Sequence, residues 1–399
     1  MLRNIYLVFL FNFIWALMVL MPVIVPFFES RGLSMKNIYE LQAIFGIALL
    51  IFEVPSGYLS DLLGRKKVLI LGAIAHGIGF TIFYFTDNFM HLVFAEVLLA
   101  VGVSLYSGSD ISLIYDSLEA SGQKKAPIKL MGRRLYFKQL GETLGGLIGG
   151  WLVLWSMDAP VIAQAIVAWL PIFPILLIEE PPRKILNQKK HRENFLYIYR
   201  SMFKHSRLLN LILLASMFYG GATLLAVWSF QKYWKDLGIP IIYFGYLWAA
   251  INLVVAIFGR YAHKIEKSLG SSTLLVILGV LPIIGYLGMS FSYIIAGILF
   301  GLCFQIARAF NSVIIADGIN KRVSADMRAT ANSISSLGIR VLFIMFGPLV
   351  GYIIDQQGVH QVYLYLGLFY IFCFIVLIIP LLKQRIFFDP IEKQSHPVV

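Results

Sequence analysis

The chain has 399 residues, of which 59% are hydrophobic and 14% charged, with a mean hydropathy of +0.79. A soluble domain carries roughly 45–50% apolar and about 25% charged residues, so this composition excludes a single water-exposed globule and requires lipid as solvent for much of the surface. The formal net charge of +12 does not point to a nucleic-acid partner, because the basic residues sit in short loops between apolar runs.

Runs long enough to cross roughly 30 Å of hydrocarbon as helices recur at 4–28, 39–60, 68–86, 91–114, 133–155, 160–179, 208–229, 241–262, 272–290, 292–315, 330–353 and 362–382. They predict twelve transmembrane helices. The first follows Arg3, exceeds the ~7–15-residue core of a signal peptide and lacks a small-residue cleavage site after it, so it reads as a retained helix. Alternate loops hold the cations: Arg65, Lys66 and Lys67; then Lys124, Lys125, Lys129, Arg133, Arg134 and Lys138; then the stretch from Arg183 to Arg207. Arg260, Lys264 and Lys267 follow, then Lys321, Arg322 and Arg328, and lastly Lys383 and Arg385. The opposite loops carry Arg31, Lys36, Lys232 and Lys235. The positive-inside rule then predicts that both termini are cytoplasmic, in keeping with an even number of spans.

The longest polar segment divides the spans into halves: a six-helix bundle over 1–179, a basic cytoplasmic linker over 180–207, a second bundle over 208–382 and a cytoplasmic tail over 383–399. The halves echo each other. The fourth span ends at Asp116 and the fifth begins near Arg133; the tenth ends at Asp317 and the eleventh begins near Arg328. Such internal repetition characterises secondary transporters. Cys303 and Cys373 lie in apolar stretches without the spacing of a disulfide framework or metal site, and no cofactor or metal is expected. The sequence contains no H-E-x-x-H, G-x-S-x-G or Walker loop, which argues against an enzyme or a nucleotide-driven pump.

After the second span the chain reads Gly57-Tyr-Leu-Ser-Asp61-Leu-Leu-Gly64-Arg65-Lys66-Lys67. With the predicted topology, this resembles the signature loop of the major facilitator superfamily, and the resemblance covers essentially the whole chain. It implies an all-α integral membrane fold of two pseudo-symmetric six-helix bundles around a central cavity. It also implies a gate in which Asp61 meets the N-terminus of the eleventh helix and Arg65 meets an acid at the inner end of the fourth, Asp116 or Asp110. Gly57 permits close helix approach and Gly64 a tight turn. Lys66 and Lys67 can serve topology alone.

In the fifth span, Gly132, Gly141, Gly145, Gly146, Gly149 and Gly150 are similar to the glycine motif of proton-coupled antiporters, with Gly146 where that motif usually has proline. Close packing through small residues is the other reading. Drug antiporters often carry an arginine early in the fourth helix; here the stretch is Phe94-Ala95-Glu96-Val97. The stretches Phe52–Gly57, Ser107–Asp110 and Tyr115–Leu118 look like those of a broad group of bacterial permeases, which implies an inner-membrane location.

Ionisable residues in mid-membrane cost roughly 2.5–3.5 kcal/mol on insertion scales and should face a cavity or a partner. They are Glu53, Glu96, Asp110, Glu142, Arg308 and Arg340. Burial makes proton exchange on a carboxylate feasible, so Glu142 is the leading candidate proton carrier, with Glu96 and Asp110 as candidate stations on one pathway. Alternatives are an ion pair of Glu142 with Arg308, a headgroup-level site for Glu96 and a cytoplasmic arginine partner for Asp110. Glu96 and Asp110 lie near one helical face, about 21 Å apart along the axis. Glu53 and Arg340 are at similar depth and are expected to pair as a gate in one state. Arg308, Tyr219 and Trp248 are the candidate cavity residues, Arg308 either as a fork for an anionic group or as a cation that neutralises the acids of the first half. Trp15, Trp228 and Tyr246 can line the cavity or simply pack.

The expectation is a secondary transporter, a monomer in the bilayer, that moves a small organic molecule with protons, efflux being favoured over uptake of an anionic metabolite or siderophore. A non-transporting sensor on the same fold is the third reading.

Overall fold

The computed structural model describes residues 2–86, 88–122, 127–182, 207–323 and 328–383, which form helices and no strands. The expected linker and tail fall largely outside the described residues, which break off at 182 and resume at 207, and end at 383. Spatial proximity divides the chain into two units, Met1–Leu186 with Gly238–Asn252, and Asn187–Leu237 with Leu253–Val399.

The first unit opens with α1 (Leu2–Trp15) and α2 (Ile24–Ser30), joined by an irregular segment and a short 3₁₀ turn at Met21–Val23. It continues with α3 (Met35–Leu63), α4 (Arg65–Phe85), α5 (Phe89–Tyr106), α6 (Ser109–Ala120), α7 (Pro127–Leu152), α8 (Ala159–Val167) and α9 (Ile172–Leu176). The second begins with α10 (Arg207–Asp236), and the residues of α11 (Ile242–Leu269) are divided between the two units at Asn252. Then come α12 (Ser271–Phe291), α13 (Ile298–Phe310), a π turn at Asn311–Ile315, α14 (Ala316–Asn320) and α15 (Arg328–Gln357). The described chain closes with α16 (Val359–Cys373), a second π turn at Phe374–Ile378 and α17 (Ile379–Lys383).

Ten segments among the described residues are long and apolar enough to cross a membrane. Two of the twelve expected spans do not meet that measure, each for a local reason. The first is split into the short apolar helices Leu2–Trp15 and Met21–Ser30. The fifth, α7, is a 26-residue helix whose sequence includes Arg133, Arg134, Lys138 and Glu142.

Helix ends follow local chemistry. Ser34 and Asn37 form a reciprocal capping box at the start of α3, satisfying main-chain donors that the helix leaves orphaned. Gly64, at φ +104°, separates α3 from α4 in a conformation that disfavours residues with a Cβ.

The break after Trp15 is the main departure from the expected first span. Non-helical backbone at membrane depth is tolerated only where protein or water satisfies it. Gln164 of α8 is buried, and its Oε1 accepts from the N–H of Leu20 at 3.3 Å. Gly141, Gly145 and Gly149 lay one face of α7 against the main chain of Phe13, Leu17–Met18 and Val19, an approach that any side chain would block. The fourth span is also interrupted, at Ser107–Gly108 between α5 and α6, with Gly108 at φ +77°.

The two cores differ in chemistry. In the first unit, Val8, Phe9 and Phe11 of α1 pack on Leu69, Ala73, Tyr106, Leu113 and Ile114. The second is built on tyrosines. Tyr286 stacks on Tyr370 at 5.6 Å between centroids. Tyr286 Oη donates to the Ala222 carbonyl at 2.7 Å, Tyr370 Oη to that of Phe218 at 2.8 Å, and Tyr363 Oη to Ser229 Oγ at 3.0 Å. Where no solvent can help, a buried hydroxyl needs such a partner.

Candidate functional site

The loop Gly57–Lys67 is organised by Arg65. Its Nη1 lies 2.8 Å from Asp61 Oδ1 and donates to Ser60 Oγ at 2.9 Å, while its Nε meets Asp116 Oδ2 at 3.3 Å. Of the two acids that the fourth span offers, Asp116 is the one that faces Arg65. Ser109 Oγ donates to Ser60 Oγ at 2.9 Å and ties the start of α6 to the same loop.

A residue that sequence reasoning missed completes this loop. Glu180 Oε1 accepts from the Arg65 N–H at 2.7 Å and Oε2 from the Lys66 N–H at 2.8 Å. Gly64, the N-cap residue, offers no side chain, so a carboxylate from the far end of the unit caps α4, favoured by the helix dipole. A Cβ at Gly64 would lie 2.8 Å from Glu180 Oε1. The segment before Glu180 is held as well. Asn4 exchanges two hydrogen bonds with the Glu179 main chain, Nδ2 to the carbonyl at 2.8 Å and Oδ1 from the N–H at 3.1 Å. Lys66 Nζ donates to the Leu176 carbonyl at 2.8 Å.

Asp110 is buried at the first turn of α6. Its Oδ2 accepts from Arg134 Nε at 2.6 Å and from Asn12 Nδ2 at 3.1 Å. An ion pair this close, with a side chain 3% exposed, fixes α1, α6 and α7 together. The cytoplasmic arginine partner that the sequence offers Asp110 as an alternative is thus Arg134, whereas nothing in the sequence singles out Asn12.

Glu142 stands one turn along α7 from Lys138, with Oε1 3.9 Å from Nζ, too long for a hydrogen bond. Lys138 Nζ also sits 5.1 Å from the centre of the Trp15 ring. Trp15 meets the edge of Tyr106 at 5.5 Å, and Tyr106 in turn meets His76 at 6.0 Å. His76 Nδ1 and Tyr106 Oη are buried without a hydrogen-bond partner.

Glu96 differs from the other two carboxylates. It is 3% exposed, which places it in the interior of the unit. Gln42 Nε2 of α3 donates to its Oε1 at 2.7 Å, and no salt bridge to Glu96 exists among the described residues. Among the described residues its one hydrogen-bond partner is thus a neutral amide and not a cation.

The five glycines of α7 from Gly141 to Gly150 serve two faces. Gly141, Gly145 and Gly149 cover the broken first span, while Gly146 faces Trp248 and Gly150 faces Gly245 at the start of α11. Trp248 is half-buried there. In the second unit Tyr219 is fully buried, Arg308 is exposed and Arg340 is half-buried; in the first, Glu53 is half-buried.

The profile of the Major Facilitator Superfamily matches residues 6–339. An uncharacterised MFS-type transporter of Methanocaldococcus jannaschii is 20% identical over 381 residues, 92% of this chain and 95% of that protein. The quinolone resistance protein NorA of Staphylococcus aureus is 27% identical over 181 residues, 45% of this chain and 44% of its own length. Among solved structures, the nucleoside transporter NupG superposes with a TM-score of 0.76 at 13% identity, over 96% of this chain and 98% of that one. A D-xylose–proton symporter superposes at 0.68 with 16% identity, over 93% and 96%. At such identities the structural likeness concerns the fold.

Proposed function

This chain belongs to the major facilitator superfamily, and from that premise we propose that it moves a small organic solute across the membrane by alternating access, coupled to protons through Glu96. Transport itself follows from the family and its relatives, and membership excludes an enzyme. Coupling, direction and substrate are our reading.

The observation that carries the coupling is the environment of Glu96: buried, held by the neutral amide of Gln42, and without a cation among the described residues. Such a carboxylate can take up and release a proton without breaking an ion pair, whereas Asp110 would have to give up Arg134. Glu142, partly exposed and loosely held by Lys138, is the second station on the route. Efflux is favoured by the glycine-rich face of α7 and by the likeness to a quinolone resistance protein over 181 residues. The exposed Arg308 guanidinium supports a second reading, uptake of a solute with a carboxylate. The distribution of basic loops supports cytoplasmic termini in a bacterial inner membrane.

The test is proton movement in sealed proteoliposomes with a pH-sensitive dye, across a panel of metabolites, siderophores and cationic drugs. Solute-dependent proton movement is expected in the native protein and not in Glu96→Gln, which retains solute exchange; the sign of the movement gives the direction. Undiminished proton movement in Glu96→Gln would remove Glu96 from the role, and its loss in Glu142→Gln alone would transfer it.

A further inference from the structure

We propose that the inner end of α11 carries a site for the headgroup of an anionic phospholipid, formed by Arg260, Tyr261, Lys264 and Ser268.

One face of this helix is built for lipid. Tyr246, Leu253, Ile257, Tyr261, Lys264 and Ser268 are all exposed, and spacings of three, four and seven set them in a single stripe. Its middle is aliphatic and tyrosines stand at both ends, with Tyr243 6.3 Å from Tyr246. Tyr261 follows Tyr246 and Tyr243 by 15 and 18 positions, about 23–27 Å along the axis. That is close to the roughly 30 Å of a bilayer's hydrocarbon, whose two interfaces attract aromatic belts. Acyl chains fit such a stripe, whereas a water-filled cavity would call for polar groups along its middle.

The two ends differ in charge. Residues 237–256 contain no Lys or Arg, so the outer tyrosines have no cation on their helix. At the inner end two cations share one ring: the Arg260 guanidinium lies 5.9 Å and the Lys264 ammonium 5.5 Å from the centre of Tyr261. Neither they nor Lys267 makes a salt bridge among the described residues. Glu266, the acid of this turn, is engaged, accepting from Ser271 Oγ at 2.9 Å and facing His263 Nδ1 at 3.4 Å. Other basic side chains predicted on the same side are answered: Arg65 by Asp61 and Asp116, Arg134 by Asp110 and Lys321 by Asp317. Like charges four residues apart destabilise a helix, and an anion between Arg260 and Lys264 removes that repulsion.

The surface has room for it. An open groove of about 450 Å³ runs beside the ring, lined by Tyr261, Lys264, Ile265, Ser268 and Leu269. Charge-assisted bonds from a guanidinium and an ammonium suit phosphoryl oxygens, and a serine hydroxyl adds a neutral donor. The distribution of basic loops assigns this end to the cytoplasmic side, where anionic headgroups attract cations just outside a span.

The test is binding to the full-length protein in neutral detergent, read as energy transfer from its tryptophans to phosphatidylglycerol with a pyrene-labelled acyl chain. Saturable binding is expected, displaced by unlabelled phosphatidylglycerol and not by phosphatidylcholine. Arg260→Gln and Lys264→Gln should each weaken it about fivefold and leave the lipid-free melting midpoint unchanged or higher. Lys321→Gln, which removes a cation already paired at 2.6 Å, should leave binding as it is. Equal weakening by Lys321→Gln would replace the site with diffuse surface charge. Equal displacement by phosphatidylcholine, indifference to Arg260→Gln and Lys264→Gln, or no saturable binding would also overturn it. Displacement by glycerol 3-phosphate at the concentrations where phosphatidylglycerol acts would overturn the lipid in favour of a free anionic solute. Binding requires neither a gradient nor a transported solute, so these outcomes are independent of coupling through Glu96.

Discussion

Glu180 and Arg65 are 115 positions apart, yet the Glu180 carboxylate accepts from the Arg65 main-chain N–H at 2.7 Å. The same Arg65 directs its guanidinium at Asp61 and Asp116. The end of the sixth span thus sets the backbone from which the signature arginine projects.

Replacing Glu180 by Ala should cost about 1 kcal/mol, as loss of an N-terminal cap does. Gly64→Ala should cost at least as much, because it forces both a φ of +104° and a clash with the Glu180 carboxylate. Thermal unfolding of the purified protein measures both. Because both changes act on one contact, the double variant should be less destabilised than the sum.

Asp110→Ala should be far more damaging. It leaves the half-buried Arg134 without its carboxylate, and breaking a buried pair costs about 3–5 kcal/mol. A double change, Asp110→Asn with Arg134→Gln, removes both charges and should recover a large part of the loss. Unfolding midpoints of the single and double variants decide this; equal loss in both would show that shape and not charge holds α1, α6 and α7 together.

Glu96→Gln should leave stability within about 1 kcal/mol of the native protein, since an amide can keep the hydrogen bond to Gln42. Glu96→Ala should be worse, as it creates a cavity and strands the Gln42 amide. Melting curves of the pair separate this structural effect from the proton-movement assay.

Gly145→Ala should destabilise by roughly 1–3 kcal/mol through overpacking, because its Cβ would lie 2.7 Å from the main-chain nitrogen of Met18. Gly132→Ala, with open space at its Cβ position, is the matched control and should be neutral or slightly stabilising. Cysteine accessibility at Leu17 or Met18 would report whether Gly145→Ala displaces the broken first span.

The sequence by itself determined that this is a helical membrane protein of a transporter family. The length and apolarity of its runs are set by the bilayer, and Gly57–Lys67 is a local pattern whose residues lie side by side in the chain. It also isolated the costly charges, because an ionisable group in an apolar run stands out before any folding. Only the tertiary structure decided what those charges meet. Asp110 meets Arg134, Glu96 meets a neutral amide and Glu180 caps α4, through pairings that join residues 24, 54 and 115 positions apart. Nor could the sequence place the breaks at Trp15 and Asn311. Hydropathy averages over a span, whereas a break depends on the single groups around it: the Gln164 amide and the glycine face of α7 at one, and the Asn311 amide bonded to the Ser216 carbonyl at the other.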